Sequence, residues 1–265
     1  MHQYSLSDIK KSYYSKKKWE KQFPINYYLV RPLSFILTFI ILKFTNSPLQ
    51  VAWMGALIGW LGCLSFLGIG AAGWIIWVGF LLISIFSVFD AVDGNIARTT
   101  GDVTYYGKFV DSAIGETIES SYCFWLGLGL SGNILDVFYE SSAFEYKCES
   151  IFLLYGSVIM SGRLFSGFID LKYENLYNET SRDGESHSFD DKIQMPEIQM
   201  SRFNKNLFYQ IFINLNLFNN QLLLLGISIW CDSVEWFMCF FSLYYFLRAT
   251  VYFFYFVYRG RQVLM

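Results

Sequence analysis

The stretch FDAVDGNIARTTGDVTYYGKFVDSAIGE, residues 89–116, joins two strongly apolar segments but carries three carboxylates, Asp90, Asp93 and Asp111. An ionisable residue at membrane depth costs several kcal/mol unless it faces a water-filled cavity or a partner. Such residues therefore indicate function by default. The apolar segments on either side of this stretch predict a chain that enters the membrane before and after it. The carboxylates within the stretch give the position of the candidate site.

The composition of the whole chain is that of a polytopic membrane protein. Of its 265 residues, 54% are hydrophobic and only 16% are charged, against about 25% charged in soluble domains. The mean hydropathy is +0.34. A net charge of -2 gives no basic signal for the protein as a whole, so we expect no nucleic acid partner. We expect an all-α protein.

The apolar segments predict an N-terminal interfacial helix and six transmembrane helices, because a span needs about 20 mostly apolar residues. The interfacial helix is predicted at 29–44, a segment too short for an ordinary span. Four asparagines interrupt the fifth predicted span. The six spans are 49–69, 73–96, 106–130, 151–171, 207–230 and 234–258. Residues 1–45 then form a basic cytoplasmic segment with the interfacial helix, and residues 46–260 form a membrane domain with a polar cytoplasmic loop at 172–205.

The distribution of basic residues predicts the orientation in the membrane. In this layout the loops at 70–72, 131–150 and 231–233 hold Lys147 as their only Lys or Arg, whereas the opposite side is rich in both. Basic loops stay in the cytoplasm. We therefore expect an integral membrane protein with both termini, and the three carboxylates of residues 89–116, on the cytoplasmic side.

The three carboxylates have the pattern of a divalent-cation site. Asp90 and Asp93 lie three residues apart and project from nearly the same face of a helix, and Asp111 is expected to face them from the start of the next helix. Oxygen ligands favour Mg²⁺, Mn²⁺ or Ca²⁺. Mg²⁺ is usually held by one or two carboxylates together with substrate phosphates. The pattern therefore predicts phosphate-bearing substrates at the lipid boundary.

The same residues resemble the signature of the CDP-alcohol phosphotransferase (CDP-alcohol phosphatidyltransferase) family, D-x2-D-G-x2-A-R-x8-G-x3-D-x3-D. The matching positions are Asp90, Asp93, Gly94, Ala97, Arg98, Gly107 and Asp111. The run NSPLQVAWMGALIGWLG, residues 46–62, resembles the opening of the family's first span. The likeness covers roughly residues 28–260, most strongly in the middle.

The resemblance implies transfer of a substituted phosphate from a CDP-linked donor, such as CDP-diacylglycerol, to a hydroxyl acceptor with release of CMP, in phospholipid or related lipid synthesis. It implies Mg²⁺ or Mn²⁺ held by Asp90, Asp93 and Asp111. It also implies a nucleotide site at Gly94, Ala97, Arg98 and Gly107, and a possible homodimer. Membrane lipid is the remaining expected partner.

The last Asp of the signature is replaced here by Gly115. In the family that Asp is thought to be both metal ligand and general base. Position 115 lies about 40° round the helix from Asp111, and Glu119 about 80°. Glu119 is thus a candidate base beside Asp111. Alternatively the enzyme borrows a base from elsewhere or needs none, catalyses a related reaction such as hydrolysis, or is a non-catalytic nucleotide- or lipid-binding protein on the same fold.

Two further arginines have more than one interpretation. Arg163, inside the fourth predicted span, either holds the phosphate or carboxylate of the acceptor or is a helix-pairing or snorkelling residue. Arg31, in the interfacial helix, either reaches lipid phosphates or anchors the helix at the surface. A transporter is disfavoured because the carboxylates cluster near one membrane surface and no internal repeat is evident.

Overall fold

The computed structural model describes residues 4–13, 20–132, 151–182 and 207–264, and within these ranges every regular element is helical. In chain order the helices are α1 (Leu6–Ser12), α2 (Asn26–Ile41), α3 (Pro48–Ser65), α4 (Ile75–Thr100), α5 (Tyr105–Leu130), α6 (Ile151–Arg182), α7 (Leu207–Asn216), α8 (Phe218–Trp230) and α9 (Val234–Leu264). The first turn of α2, Asn26–Val30, is π-helical. The prediction of an all-α membrane-type fold is confirmed.

Within the described ranges, four helices are long and apolar enough to cross a membrane: Pro48–Gly68, Ile75–Thr100, Ile151–Ile169 and Val234–Tyr258. A fifth span results if α7 and α8, bent by 76° at Leu217, count as one broken span. The predicted third span, α5, is 26 residues long but is not among them. It carries Asp111, Glu116 and Glu119, which lower its hydropathy. The count of six spans therefore stays a prediction.

The helices pack through small residues, as expected where lipid provides no hydrophobic drive between helices. On α3, Gly55, Gly59 and Gly62 face α4 and its neighbours. A Cβ atom at Gly62 would lie only 3.0 Å from the backbone nitrogen of Ile83. The close approach of α3 to α4 thus depends on the missing side chain.

Helix α2 has its polar face inward and its apolar face outward. Ser34 and Thr38 are fully buried, and both accept hydrogen bonds from the side chain of Asn95 on α4. The apolar residues of the other face are exposed: Leu29, Leu33, Ile36 and Ile40. This distribution suits a helix that contacts lipid on one side and a polar protein interior on the other.

At the break between α7 and α8, two side chains donate hydrogen bonds to backbone carbonyls at the end of α7. The Asn220 amide donates to the carbonyl oxygen of Asn214 at 2.8 Å, and the Gln221 amide donates to that of Leu215 at 2.9 Å. Backbone polar groups at membrane depth must find partners inside the protein. The asparagines that made this segment a doubtful span are thus, in part, what makes the break tolerable.

Two predicted segments differ from the structure or lie outside it. Helix α6 continues to Arg182, so the first part of the predicted polar loop at 172–205 is helical. The rest of that loop, and most of the predicted outer loop at 131–150 with Lys147, lies outside the described residues. The division between residues 1–45 and 46–260 stays a prediction. Helix α1 packs against α2 and α4, and Ser12 hydrogen-bonds Thr99.

Candidate active site

The signature residues meet where α4 ends and α5 begins. Gly101 terminates α4 in the left-handed conformation (φ 78°), which glycine adopts without steric cost. Thr104 then caps α5 by accepting a hydrogen bond from the Gly107 amide at 3.0 Å. This short reversal turns the chain back on itself. The carboxylates of α4 consequently face Asp111 in the second turn of α5.

The three predicted metal ligands form one electrostatic cluster. The carboxyl group of Asp90 hydrogen-bonds that of Asp111, and Asp93 interacts with the charges of both. Asp93 is 5% exposed. Asp90 is exposed, but into an internal cavity. The structure therefore brings together all three residues that the sequence placed in one site.

The donor chemistry of this cluster fits a hard divalent cation, since three carboxylates converge and repel one another. Among the described residues, however, no group of three or more His, Cys, Asp or Glu side chains has the spacing of an assembled metal cage.

Most of the remaining signature residues line one cavity of about 200 Å³. Gly94, Ala97, Arg98 and Gly107 border it together with Asp93 and Asp111. Gly94 has a steric role here. A Cβ atom at this position would lie 3.2 Å from a terminal nitrogen of Arg98, so glycine lets the guanidinium group lie against the helix. The predicted nucleotide-binding residues therefore share one cavity, with the carboxylates at its wall.

Asn95 connects this cavity to the N-terminal region, and sequence reasoning missed it because it occupies a variable position of the signature. It is fully buried. Its side-chain oxygen accepts hydrogen bonds from Arg98 at 2.9 Å and from Arg31 at 3.3 Å. A buried carboxamide in a hydrophobic segment is the signal that could have identified it.

Arg31 points into the protein and forms an ion pair with Glu20, while its guanidinium lies 5.0 Å from the centre of the Tyr13 ring. Burial and the hydrogen bond to Glu20 raise the pKa of the Tyr13 phenol, which keeps this group protonated and able to donate. Neither reading of Arg31 from the sequence, lipid contact or surface anchoring, describes this position. Arg31 instead joins the N-terminal segment to α4.

The two further candidate residues, Glu119 and Arg163, are partners of each other in a partly buried ion pair between α5 and α6. Arg163 is 9% exposed and also donates to the side-chain oxygen of Gln221 at 3.3 Å. Glu119 interacts with the charges of Asp90 and Asp111. The structure thus places the pair next to the carboxylate cluster and links it to the broken span.

Gly115 faces the cluster at the position where the signature has its last Asp. It is buried, and a Cβ atom there would lie 3.7 Å from a carboxylate oxygen of Asp90, an ordinary contact distance. A Cβ atom therefore fits at this position without a clash.

The signature, the cavity and the reversal between α4 and α5 all lie inside one recognisable segment. Residues 33–121 match the model of the CDP-alcohol phosphatidyltransferase family. The CDP-alcohol phosphatidyltransferase segment covers about a third of the chain, from α2 to the middle of α5. It contains every residue of the signature but neither Arg163 nor the broken span. The resemblance seen in the sequence is confirmed.

Members of this family are transferases that use CDP-linked alcohols, and they generally depend on divalent metal ions. Comparison with curated proteins and with solved structures produced no match.

Proposed function

We propose that this protein transfers a substituted phosphate from a CDP-linked donor, CDP-diacylglycerol or a related CDP-alcohol, to a hydroxyl acceptor and releases CMP, in phospholipid or related lipid synthesis. The observation that carries the proposal is the cavity of about 200 Å³ that six of the seven matched signature residues line. The seventh, Asp90, does not line this cavity but hydrogen-bonds Asp111, which does.

In this proposal Asp90, Asp93 and Asp111 hold Mg²⁺ or Mn²⁺, which when bound neutralises the charge of the pyrophosphate. Arg98 contacts the nucleotide, and Gly94, Ala97 and Gly107 let the cytidine approach the backbone. Orientation of the donor by these residues would supply much of the rate enhancement, as in other phosphoryl transfers.

The proton of the acceptor hydroxyl needs a base, and we propose that the Asp90–Asp111 pair receives it. The acceptor oxygen forms the new bond to phosphorus, the bond from phosphorus to the CMP oxygen breaks, and CMP leaves. Glu119 remains the alternative base. Its carboxylate already neutralises Arg163, which supports a positioning role for it.

The proposal is tested by CMP release from detergent-purified protein given Mg²⁺ or Mn²⁺, CDP-diacylglycerol and a panel of alcohols. Release that requires an alcohol and is lost in Asp93→Asn is the expected result. Asp232→Asn is the matched control, because Asp232 follows α8 at the end remote from the signature. Equal release in Asp93→Asn and the control would contradict the proposal.

A second candidate function, binding of nucleotide or lipid without turnover, is favoured by Gly115 alone. A missing general base typically lowers a rate by about 10²–10⁴-fold. A protein that binds CDP-diacylglycerol with Asp93-dependent affinity but releases no CMP with any alcohol would support this second function.

A further inference from the structure

A second cavity, of about 150 Å³, adjoins the one assigned to the nucleotide, and the two share Gly94, Arg98 and Asp111. A ligand in the second cavity would therefore lie directly beside a nucleotide in the first. The volume is below the roughly 300–1,000 Å³ of pockets for drug-sized ligands. It suits a small molecule or a single headgroup.

One wall of this second cavity is polar but uncharged. It is formed by Asn26 of α2, Ser87 of α4 and Asn219 of α8. The Ser87 hydroxyl donates to the side-chain oxygen of Asn219, and the Asn219 amide donates to that of Asn26 at 2.8 Å. Such groups can each donate to and accept from a hydroxyl.

Each of the two guanidinium groups that line this cavity already has another partner or another proposed role. Arg31 is paired with Glu20, and Arg98 is the residue assigned to the nucleotide. The remaining charges, those of Asp90 and Asp111, are negative. An acceptor that carried its own phosphate would thus find no unassigned guanidinium group among the described residues that line this cavity.

Asn219 differs from the other asparagines of the broken span. Asn214, Asn216 and Asn220 donate their amide groups to carbonyl oxygens of the segment 210–214. Asn219 contributes to none of these bonds and lies in the first turn of α8 with its side chain at the cavity. The 76° bend at Leu217 is what brings it there.

We propose that the second cavity is the acceptor subsite, that it takes a small uncharged polyol or hydroxyl headgroup, and that Asn219 and Asn26 determine this preference by hydrogen bonding its hydroxyls. This inference rests on the transfer reaction proposed above. The acceptor hydroxyl then lies between the amide wall and Asp90, with its oxygen towards the donor phosphorus in the adjoining cavity.

The acceptor class is tested with matched pairs, glycerol against glycerol 3-phosphate and inositol against inositol phosphate, with CDP-diacylglycerol as donor. We expect kcat/KM to be at least tenfold higher for the uncharged member of the productive pair. Higher kcat/KM for the phosphorylated member would overturn the inference and leave the transferase intact. Absence of CMP release with every alcohol would overturn the proposed function, and the inference with it.

The role of Asn219 is tested by Asn219→Leu, which keeps the size of the side chain and removes its hydrogen bonds. The expected result is a roughly tenfold rise in KM for the acceptor, equivalent to about 1.4 kcal/mol, with an unchanged KM for CDP-diacylglycerol. Asn216→Leu, in the same break but away from the cavity, is the control. Equal changes in both KM values, or equal effects of the two variants, would overturn the assignment.

Glu20→Gln supplies an independent variant, because it removes the charge that neutralises Arg31 without altering the amide wall. The uncompensated guanidinium should favour anionic acceptors. We therefore expect the ratio of kcat/KM for the phosphorylated member to that for the uncharged member to rise severalfold. An unchanged ratio in a variant that still releases CMP would overturn the charge argument.

Discussion

Gly115 is the residue at which the site departs most from its signature. The neighbouring residues leave room for a Cβ atom at this position. The nearest atom to a Cβ at this position is a carboxylate oxygen of Asp90, at 3.7 Å. Overpacking is therefore not expected from a short side chain. An added carboxylate would join the cluster of Asp90 and Asp111, whose donor set already suits a divalent cation.

We predict that Gly115→Asp raises the rate of CMP release by about 10²-fold, the lower end of what a positioned general base contributes. The measurement is kcat with CDP-diacylglycerol and the best acceptor. Gly115→Asn is the matched control, because it adds the same volume without the negative charge. Equal rates in the two variants would mean that position 115 has no part in proton transfer.

Glu119 and Arg163 permit a second prediction at the residue scale. Removal of one partner of a fully buried ion pair typically costs about 3–5 kcal/mol, since the other charge is left uncompensated. The Glu119 side chain is 24% exposed, so we expect a smaller cost here. We predict that Glu119→Gln lowers thermal stability in detergent, and that adding Arg163→Met restores much of the loss. A fall in kcat without any loss of stability would instead identify Glu119 as the base.

At the scale of helices, the site depends on how closely α3 approaches α4. Gly62 faces the backbone of α4, where a Cβ atom would lie 3.0 Å from the nitrogen of Ile83 and 3.0 Å from the Cβ of Leu82. Backbone atoms cannot move aside as a flexible side chain can. Any enlargement at Gly62 must therefore separate the two helices.

Gly62→Ala is predicted to destabilise the protein by about 1–3 kcal/mol, the usual cost of overpacking. The control is Gly70→Ala, because a Cβ atom at Gly70 would meet nothing within 4 Å. Thermal unfolding in detergent, followed by loss of tryptophan fluorescence or of monodisperse protein, measures the difference. Equal stability of the two variants would show that α3 and α4 can separate at little cost.

For the whole molecule, the carboxylate cluster and Cys231 lie at opposite ends of the helices. Cys231 follows α8 and is exposed, whereas the first turn of α8 lies at the cavity beside Asp90. The predicted orientation places the cluster in the cytoplasm and Cys231 outside. Cys231 is therefore a natural reporter of topology.

We predict that a membrane-impermeant maleimide added to sealed cells labels Cys231 in a Cys148→Ser background. A cysteine introduced at the exposed Val103, between α4 and α5, should react only after the cells are permeabilised. The Cys148→Ser change is needed because that residue belongs to the predicted outer loop. The opposite labelling pattern would invert the topology and move the proposed active site to the outer face.

Much of the fold and of the site was predictable from local patterns. The starts of α3, α5, α6 and α9 lie within one residue of the predicted boundaries, because long apolar runs and capping residues are local features. The spacing of Asp90, Asp93 and Asp111 likewise indicated one cluster, since helix periodicity fixes which residues share a face. The fifth span was predicted as one helix, and the 76° break at Leu217 was not.

The sequence by itself determined the helices, the membrane-type composition and the signature cluster, because each depends on residues close together in the chain. Only the tertiary structure decided that Arg163 pairs with Glu119, that Arg31 turns inward to Glu20 and Asn95, and that Asn219 reaches the cavity beside Asp90. These contacts join helices far apart in the sequence. They depend on helix packing and on one bend, and neither leaves a periodic pattern in the chain.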